Sequence, residues 1–178
     1  MSWTRIRITL KAGSISATAM QASSVTYTFT QQFQVPAQDA FKWATDYQPN
    51  DLALMGEKGK RRIRRLTEDA IILEEGVRVG AKTIWKVKLV RVNPRTLSWH
   101  NIQLQGPNKY SEFIYEVTSR GSRKSKLTYT GLLVVYSKNR LSRQRLRQVA
   151  NREKRYDSKA WKLLANAMVK DYQRNKHS

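Results

Sequence analysis

The sequence has no cysteine and only two histidines, His100 and His177, among its 178 residues. Without cysteine it has no thiol nucleophile, no disulfide and no thiolate ligand for zinc or an iron–sulfur cluster. Two histidines leave a histidine metal centre or a Ser-His-Asp triad poorly supplied. We therefore expect no metal and no other cofactor, and most classes of enzyme that depend on these side chains are excluded.

Acidic residues are scarce. The sequence has 13 Asp and Glu residues but 34 Lys and Arg residues, which gives a net charge of +21. A surface of this kind attracts polyanions such as nucleic acids or anionic lipid headgroups. The chain also lacks any stretch near the 18 consecutive apolar residues that a membrane-spanning helix needs. We expect a cytoplasmic protein with, at most, weak and nonspecific binding to nucleic acid or an anionic surface.

The length and the 40% apolar content suit one domain with a single core. Residues 1–23 carry no acid and no core periodicity, and three interpretations stay open for them. They are a targeting segment, a disordered tail, or the product of a start codon placed too early, with Met20 as the true first residue. The domain itself is predicted over residues 24–174, and residues 175–178 form a tail.

Hydrophobic periodicity predicts the elements of that domain. Apolar and polar residues alternate from Val25 to Val35, which is typical of a strand, and two short helices follow between Pro36 and Gly56. β-Branched and aromatic runs over residues 60–136 predict about six antiparallel strands with one buried and one solvated face. No Gly or Pro interrupts the residues from Asn139 to Arg174, which predicts one long helix.

Turn residues separate the predicted strands, and alternation assigns their faces. In the run after Gly80 we place Trp85 on the buried face, and Lys86 and Lys88 on the solvated one. The turn signals lie at 67–69, Gly80, 93–95, 106–108 and 121–122.

This order of elements resembles the helix-grip domain of the START and birch-pollen-allergen superfamily, often labelled polyketide cyclase/dehydrase or lipid transport proteins. The most specific matching segment is FQVPAQDAFKW at residues 33–43, and the helix with Trp161 supplies the other. The resemblance implies an α+β fold in which a curved antiparallel sheet of about seven strands wraps a long C-terminal helix. Two short helices follow the first strand, and a hydrophobic cavity lies between sheet and helix. The superfamily shares no catalytic signature, so the fold transfers better than the function.

Large aromatic side chains on the predicted inner face are the candidates for lining such a cavity, although the same residues could simply fill a core. On the cavity interpretation, the protein binds a hydrophobic or aromatic small molecule or lipid. An alternative on the same fold is an enzyme of the cyclase/dehydratase type. The predicted ligand-binding residues are Trp43, Tyr47, Trp85, Trp99, Phe113, Tyr115, Tyr129, Trp161 and Leu164.

The sequence supports no catalytic residue. Glu74 and Glu75 are adjacent in a strand, so both cannot face one cavity. Glu112 and Glu116 share a face, but alternation places it on the solvated side, as it does for His100. The identity of any catalytic group stays unknown.

Two arginine-rich segments give a third interpretation, an RNA-, ribosome- or membrane-surface-associated protein acting through basic patches. Neither segment interleaves aromatic residues for base stacking, so sequence-specific recognition of single strands is unsupported. A generally basic, solvated surface remains the alternative. The predicted polyanion-binding residues are Arg61, Arg62, Arg64, Arg65, Arg143, Arg145 and Arg147.

Overall fold

A computed structural model describes residues 20–176, and the predictions made for residues 1–19 and 177–178 lie outside the described residues. The elements follow one another along the chain in the order that the periodicity predicts: one strand, two short helices, six strands and a long helix. They are β1 (Gln21–Phe33), α1 (Ala37–Thr45), α2 (Asp51–Leu54), β2 (Gly59–Arg65), β3 (Ala70–Val79), β4 (Lys82–Asn93), β5 (Ser98–Gln105), β6 (Glu112–Ser119), β7 (Ser125–Ser137) and α3 (Arg143–Lys176).

The seven strands form one antiparallel sheet in the order β1-β7-β6-β5-β4-β3-β2. Strands β2 to β7 follow one another as neighbours. The predicted turn signals fall in the connections between them, except that the signal at 93–95 begins at Asn93, the last residue of β4. The first strand then pairs with the last, from Gln21 opposite Ser137 to Phe33 opposite Ser125. The predicted curved antiparallel sheet with its long helix is confirmed.

The long helix α3 packs across the inner face of the sheet, where it contacts β1 and the two short helices. Met168 is fully buried and Trp161 is nearly so, and both share the core with Phe33 and Leu127. The rest of α3 is rich in arginine and lysine. Among residues 20–176, no helix combines the length and apolarity needed to cross a bilayer.

Two predicted boundaries differ from the observed ones. Helix α3 begins at Arg143, because the Ser142 hydroxyl accepts a hydrogen bond from the Arg145 N–H at 3.2 Å, as an N-cap does. Strand β1 begins at Gln21, so it extends beyond the predicted domain start at residue 24. The additional residues of β1 are held by pairing with the last residues of β7.

Candidate ligand-binding cavity

A cavity of about 310 Å³ lies between the inner face of the sheet and α3, with α1 and α2 along one side. Such a volume is at the lower end of the range usual for small-molecule sites. Every predicted ligand-binding residue except Trp85 lines it. These are Trp43, Tyr47, Trp99, Phe113, Tyr115, Tyr129, Trp161 and Leu164.

The apolar wall of the cavity is a set of aromatic rings in mutual contact. Trp99 and Tyr115 stack with ring centroids 4.6 Å apart and planes 3° from parallel. Tyr129 meets Tyr115 edge to face at 4.9 Å, and Trp161 lies within about 6 Å of both Trp99 and Tyr115. Because each ring packs against its neighbours, the wall is a preformed apolar surface.

The prediction for Trp85 was wrong. Its side chain is 54% exposed on the outer face of the sheet, where its ring covers Gly76 of the neighbouring strand. The inner positions of β4 are instead Ile84, Lys86 and Lys88, which line the cavity. Alternation separates the two faces of a strand but does not say which is buried, and here two lysines take the inner one.

Glu75 is the centre of a buried ion-pair network that the sequence did not reveal. Its carboxylate accepts hydrogen bonds from Arg61 Nη2 at 2.7 Å and from Lys88 Nζ at 2.6 Å. Arg61 also pairs with Asp51. Burial alone raises the pKa of Glu75, but the two cations outweigh that effect and bring its pKa to about 2.

Arg61 was predicted to be an exposed polyanion-binding residue, and this prediction was wrong because Arg61 belongs to the same buried network. The Arg61 side chain is 5% exposed, because its position in β2 faces inward and its guanidinium is shared between two carboxylates. The other predicted arginines, on β2 and at the start of α3, are exposed and lie outside the cavity lining. They are Arg62, Arg64, Arg65, Arg143, Arg145 and Arg147.

Asp157 of α3 forms a second polar centre. Its Oδ2 atom accepts a hydrogen bond from Tyr27 Oη at 2.5 Å and another from Tyr129 Oη at 2.7 Å. Burial raises the pKa of Asp157, opposed by these two hydrogen bonds. Sequence analysis missed this residue, although it lies four positions before Trp161 and so on the apolar face of the helix. A lone acid in an apolar stripe was the signal that could have found it.

A third polar group joins the segment between α1 and α2 to the sheet inside the cavity. Asn101, which is 6% exposed, accepts a hydrogen bond from Tyr47 Oη at 3.5 Å and donates one to Tyr115 Oη at 3.4 Å. Burial raises the pKa of both phenols well above the usual value. Both side chains therefore stay protonated near neutral pH. The Tyr47 hydroxyl already donates its proton to Asn101, whereas the Tyr115 hydroxyl accepts from Asn101 and keeps its own proton available.

Lys86 is the remaining cation of the lining. Burial lowers its pKa, and the neighbouring Lys88 ammonium lowers it further. Whereas Lys88 is bound to Glu75, Lys86 makes no ion pair with a carboxylate of residues 20–176. Within the same residues, no group of three or more acidic or histidine side chains is arranged to hold a metal ion.

No family model matches the chain, and no curated protein matches it in sequence. Solved structures do match its fold. An aromatase/cyclase, Zhui from Streptomyces sp. R1128, superposes with a TM-score of 0.64 at 12% identity, over 83% of this chain and 94% of its own. The protein Ara h 8.0201 gives a TM-score of 0.65 at 12% identity, over 83% and 99%.

A START superfamily protein from Mycobacterium smegmatis gives a TM-score of 0.60 at 13% identity, over 76% of this chain and 93% of its own. The chain has the helix-grip fold. The resemblance to the START and birch-pollen-allergen superfamily is thereby confirmed for the architecture. At this level of identity the helix-grip likeness establishes the fold alone, and the activity of each relative remains its own.

Proposed function

We propose that this helix-grip protein binds a hydrophobic or aromatic small molecule or lipid in the cavity between the sheet and α3. The observation that carries the proposal is the preformed aromatic wall around a concave volume of about 310 Å³. Ligand sites are typically concave and mostly apolar, with a few placed polar groups that orient the ligand. The phenols, the amide and the charged groups described above supply those polar groups.

The volume supports a compact ligand with a body of about two fused rings, because the cavity is near the lower limit for such sites. The likeness to an aromatase/cyclase and to a START superfamily protein supports a ligand chamber on this fold. This likeness does not imply that the chain is an enzyme, since proteins of one fold can have different functions.

The experiment is a calorimetric titration with 2-naphthalenemethanol, a flat two-ring alcohol of suitable size. We expect one molecule bound per wild-type chain. Ala160→Trp, which places an indole in the cavity, should weaken binding at least about tenfold because it removes the volume that the probe occupies. Asn166→Trp adds the same side chain at an exposed position of the same helix and is the matched control.

The control variant should bind the probe like the wild type, and both variants should keep the far-ultraviolet circular dichroism of the folded chain. Equal affinity in the wild type and in Ala160→Trp would place the probe elsewhere and contradict the proposal.

A second candidate function, weak polyanion binding, is favoured by the exposure of the six arginines outside the cavity lining. If they contact phosphates, the logarithm of the affinity for single-stranded RNA falls linearly with the logarithm of salt concentration, by roughly 0.7 per contact. Replacing the exposed β2 arginines by Gln should flatten that slope. Arg61 is left unchanged in this test, because its removal breaks the buried network. A slope that does not respond to these replacements contradicts phosphate binding by β2.

A further inference from the structure

Only one of the two oxygens of the Asp157 carboxylate accepts hydrogen bonds from the described residues. Both tyrosine hydroxyls donate to Oδ2, from Tyr27 on β1 and Tyr129 on β7. The other oxygen, Oδ1, receives no hydrogen bond from the residues that the structure describes, and Asp157 belongs to the cavity lining. The side chain is therefore fixed by two donors, and its other oxygen is an unused acceptor in a residue that lines the cavity.

Asp157 also lacks a cation of its own. No Lys or Arg between residues 20 and 176 makes an ion pair with it, although the chain has 34 such side chains. The other buried carboxylates of the cavity are matched, because Arg61 and Lys88 neutralise Asp51 and Glu75. A buried carboxylate without a partner is unfavourable, and a ligand that supplies the missing cation gains a charge-assisted hydrogen bond there.

The rings around Asp157 suit the same kind of ligand. Tyr27 and Tyr129 lie 5.9 Å apart, centroid to centroid, and Phe113 lies 6.1 Å from Tyr129. The face of an aromatic ring carries partial negative charge and attracts an organic cation within about 6 Å. A carboxylate in a cavity lined by aromatic rings thus combines two attractions for an ammonium group.

We propose that the ligand is an amine on an aromatic or apolar body, and that its protonated nitrogen donates a hydrogen bond to Asp157 Oδ1. This inference rests on the proposed function and narrows the class of ligand. The apolar body stacks on the aromatic wall, and the ammonium group lies in the compartment bounded by Tyr27, Tyr129 and Phe113.

Other charges also act on this compartment. On β4, Lys86 and Lys88 oppose a bound cation, but Lys88 is held by Glu75. On α3, Glu153 favours the cation, as does Glu57 before β2, which accepts a hydrogen bond from Tyr156. The unpaired ammonium of Lys86 is therefore the main opposing charge, and its removal gives an independent test.

The experiment compares three probes with one ring system: 2-naphthylmethylamine, 2-naphthalenemethanol and 2-naphthoate, titrated calorimetrically near neutral pH. We expect the amine to bind about tenfold to a hundredfold more tightly than the alcohol, which is the usual gain from a hydrogen bond between charged groups. The carboxylate should bind most weakly of the three.

Asp157→Asn should reduce the preference for the amine over the alcohol to less than about threefold, because the amide removes the negative charge with which the ammonium group pairs. Asp39→Asn, a replacement of the same kind in α1 outside the cavity lining, should leave the preference unchanged. Lys86→Gln should strengthen binding of the amine and weaken binding of the carboxylate. This variant tests the charge preference of the cavity even if Asp157→Asn does not fold.

An amine that binds no better than the alcohol overturns this inference, as does a full preference for the amine in Asp157→Asn or unchanged affinities in Lys86→Gln. In each of those cases the probes still bind, so the cavity remains a ligand site. If none of the three naphthalenes binds the wild type, the proposed function fails as well, and the two failures are thereby distinguished.

Discussion

Replacing Glu75 with Gln should destabilise the fold severely, because Glu75 holds two buried cations. The change keeps the size of the side chain and removes only its charge. Arg61, whose side chain is 5% exposed, then keeps Asp51 alone, and Lys88 keeps no carboxylate among the described residues. Removing one partner of a buried ion pair costs about 3–5 kcal/mol, since the remaining charge is left uncompensated.

The pKa of Glu75 gives an independent estimate of similar size. Burial raises it and the two cations lower it, to about 2 against an ordinary 4.5. That difference corresponds to about 3 kcal/mol at neutral pH. For a chain of this length, a loss of 3–5 kcal/mol lowers the thermal midpoint by roughly 6–20 °C.

The assay is urea denaturation followed by circular dichroism, with Glu74→Gln as the matched control. Glu74 is the adjacent residue of β3 and points to the opposite face, so its replacement should change the unfolding free energy by about 0.5 kcal/mol or less. A Glu75→Gln variant that unfolds within the same small range would refute the reasoning about the network.

The dependence on pH has a defined sign. A carboxyl group whose folded pKa is depressed contributes stability above its unfolded pKa, and that stability is lost as the pH falls toward the folded value. For Glu75 this interval runs from about 4.5 down to about 2. Wild-type protein should lose stability over that interval more steeply than Glu75→Gln, and equal slopes contradict the assignment.

Three further substitutions test the cavity and its surroundings. Gly131→Ala places a Cβ atom 2.7 Å from Tyr27 Cζ, so we expect a loss of about 1–3 kcal/mol in urea denaturation and weaker binding of the amine probe. Trp161→Ala should cost about 2–3 kcal/mol, below the 3–5 kcal/mol usual for a filled core, and should increase the binding of an apolar dye. Trp85→Ala should cost about 1 kcal/mol and leave probe binding unchanged, because Trp85 lies on the outer face. Unchanged dye binding in the second case, or lost probe binding in the third, contradicts the placement of that side chain.

The strands and the long helix could be predicted because their signals are local. Alternation, turn residues and an uninterrupted helical run each depend on neighbours in sequence, so the connections between strands fall at the predicted turns. The resemblance of residues 33–43 to a helix-grip entry then supplied the arrangement of these elements, which local signals do not contain.

The polar part of the site could not be predicted in this way. Whether Trp85 or Lys86 faces inward depends on the partners across the sheet. Lys88, on the same inner face as Lys86, is acceptable there because it pairs with Glu75 of the neighbouring strand. Arg61 is similarly recruited from a run of arginines by two carboxylates that are distant in sequence. Buried ion pairs are tertiary features, and composition alone places such residues at the surface.

Native mass spectrometry of the purified protein, with and without 2-naphthylmethylamine, tests the central claim most directly. The account predicts one small molecule bound per wild-type chain, which is either a ligand carried through purification or the added amine in its place. At the same amine concentration, the bound fraction of Ala160→Trp should be clearly lower. Spectra that show only the unbound chain for the wild type, at amine concentrations that saturate the calorimetric titration, would contradict a ligand site in this cavity.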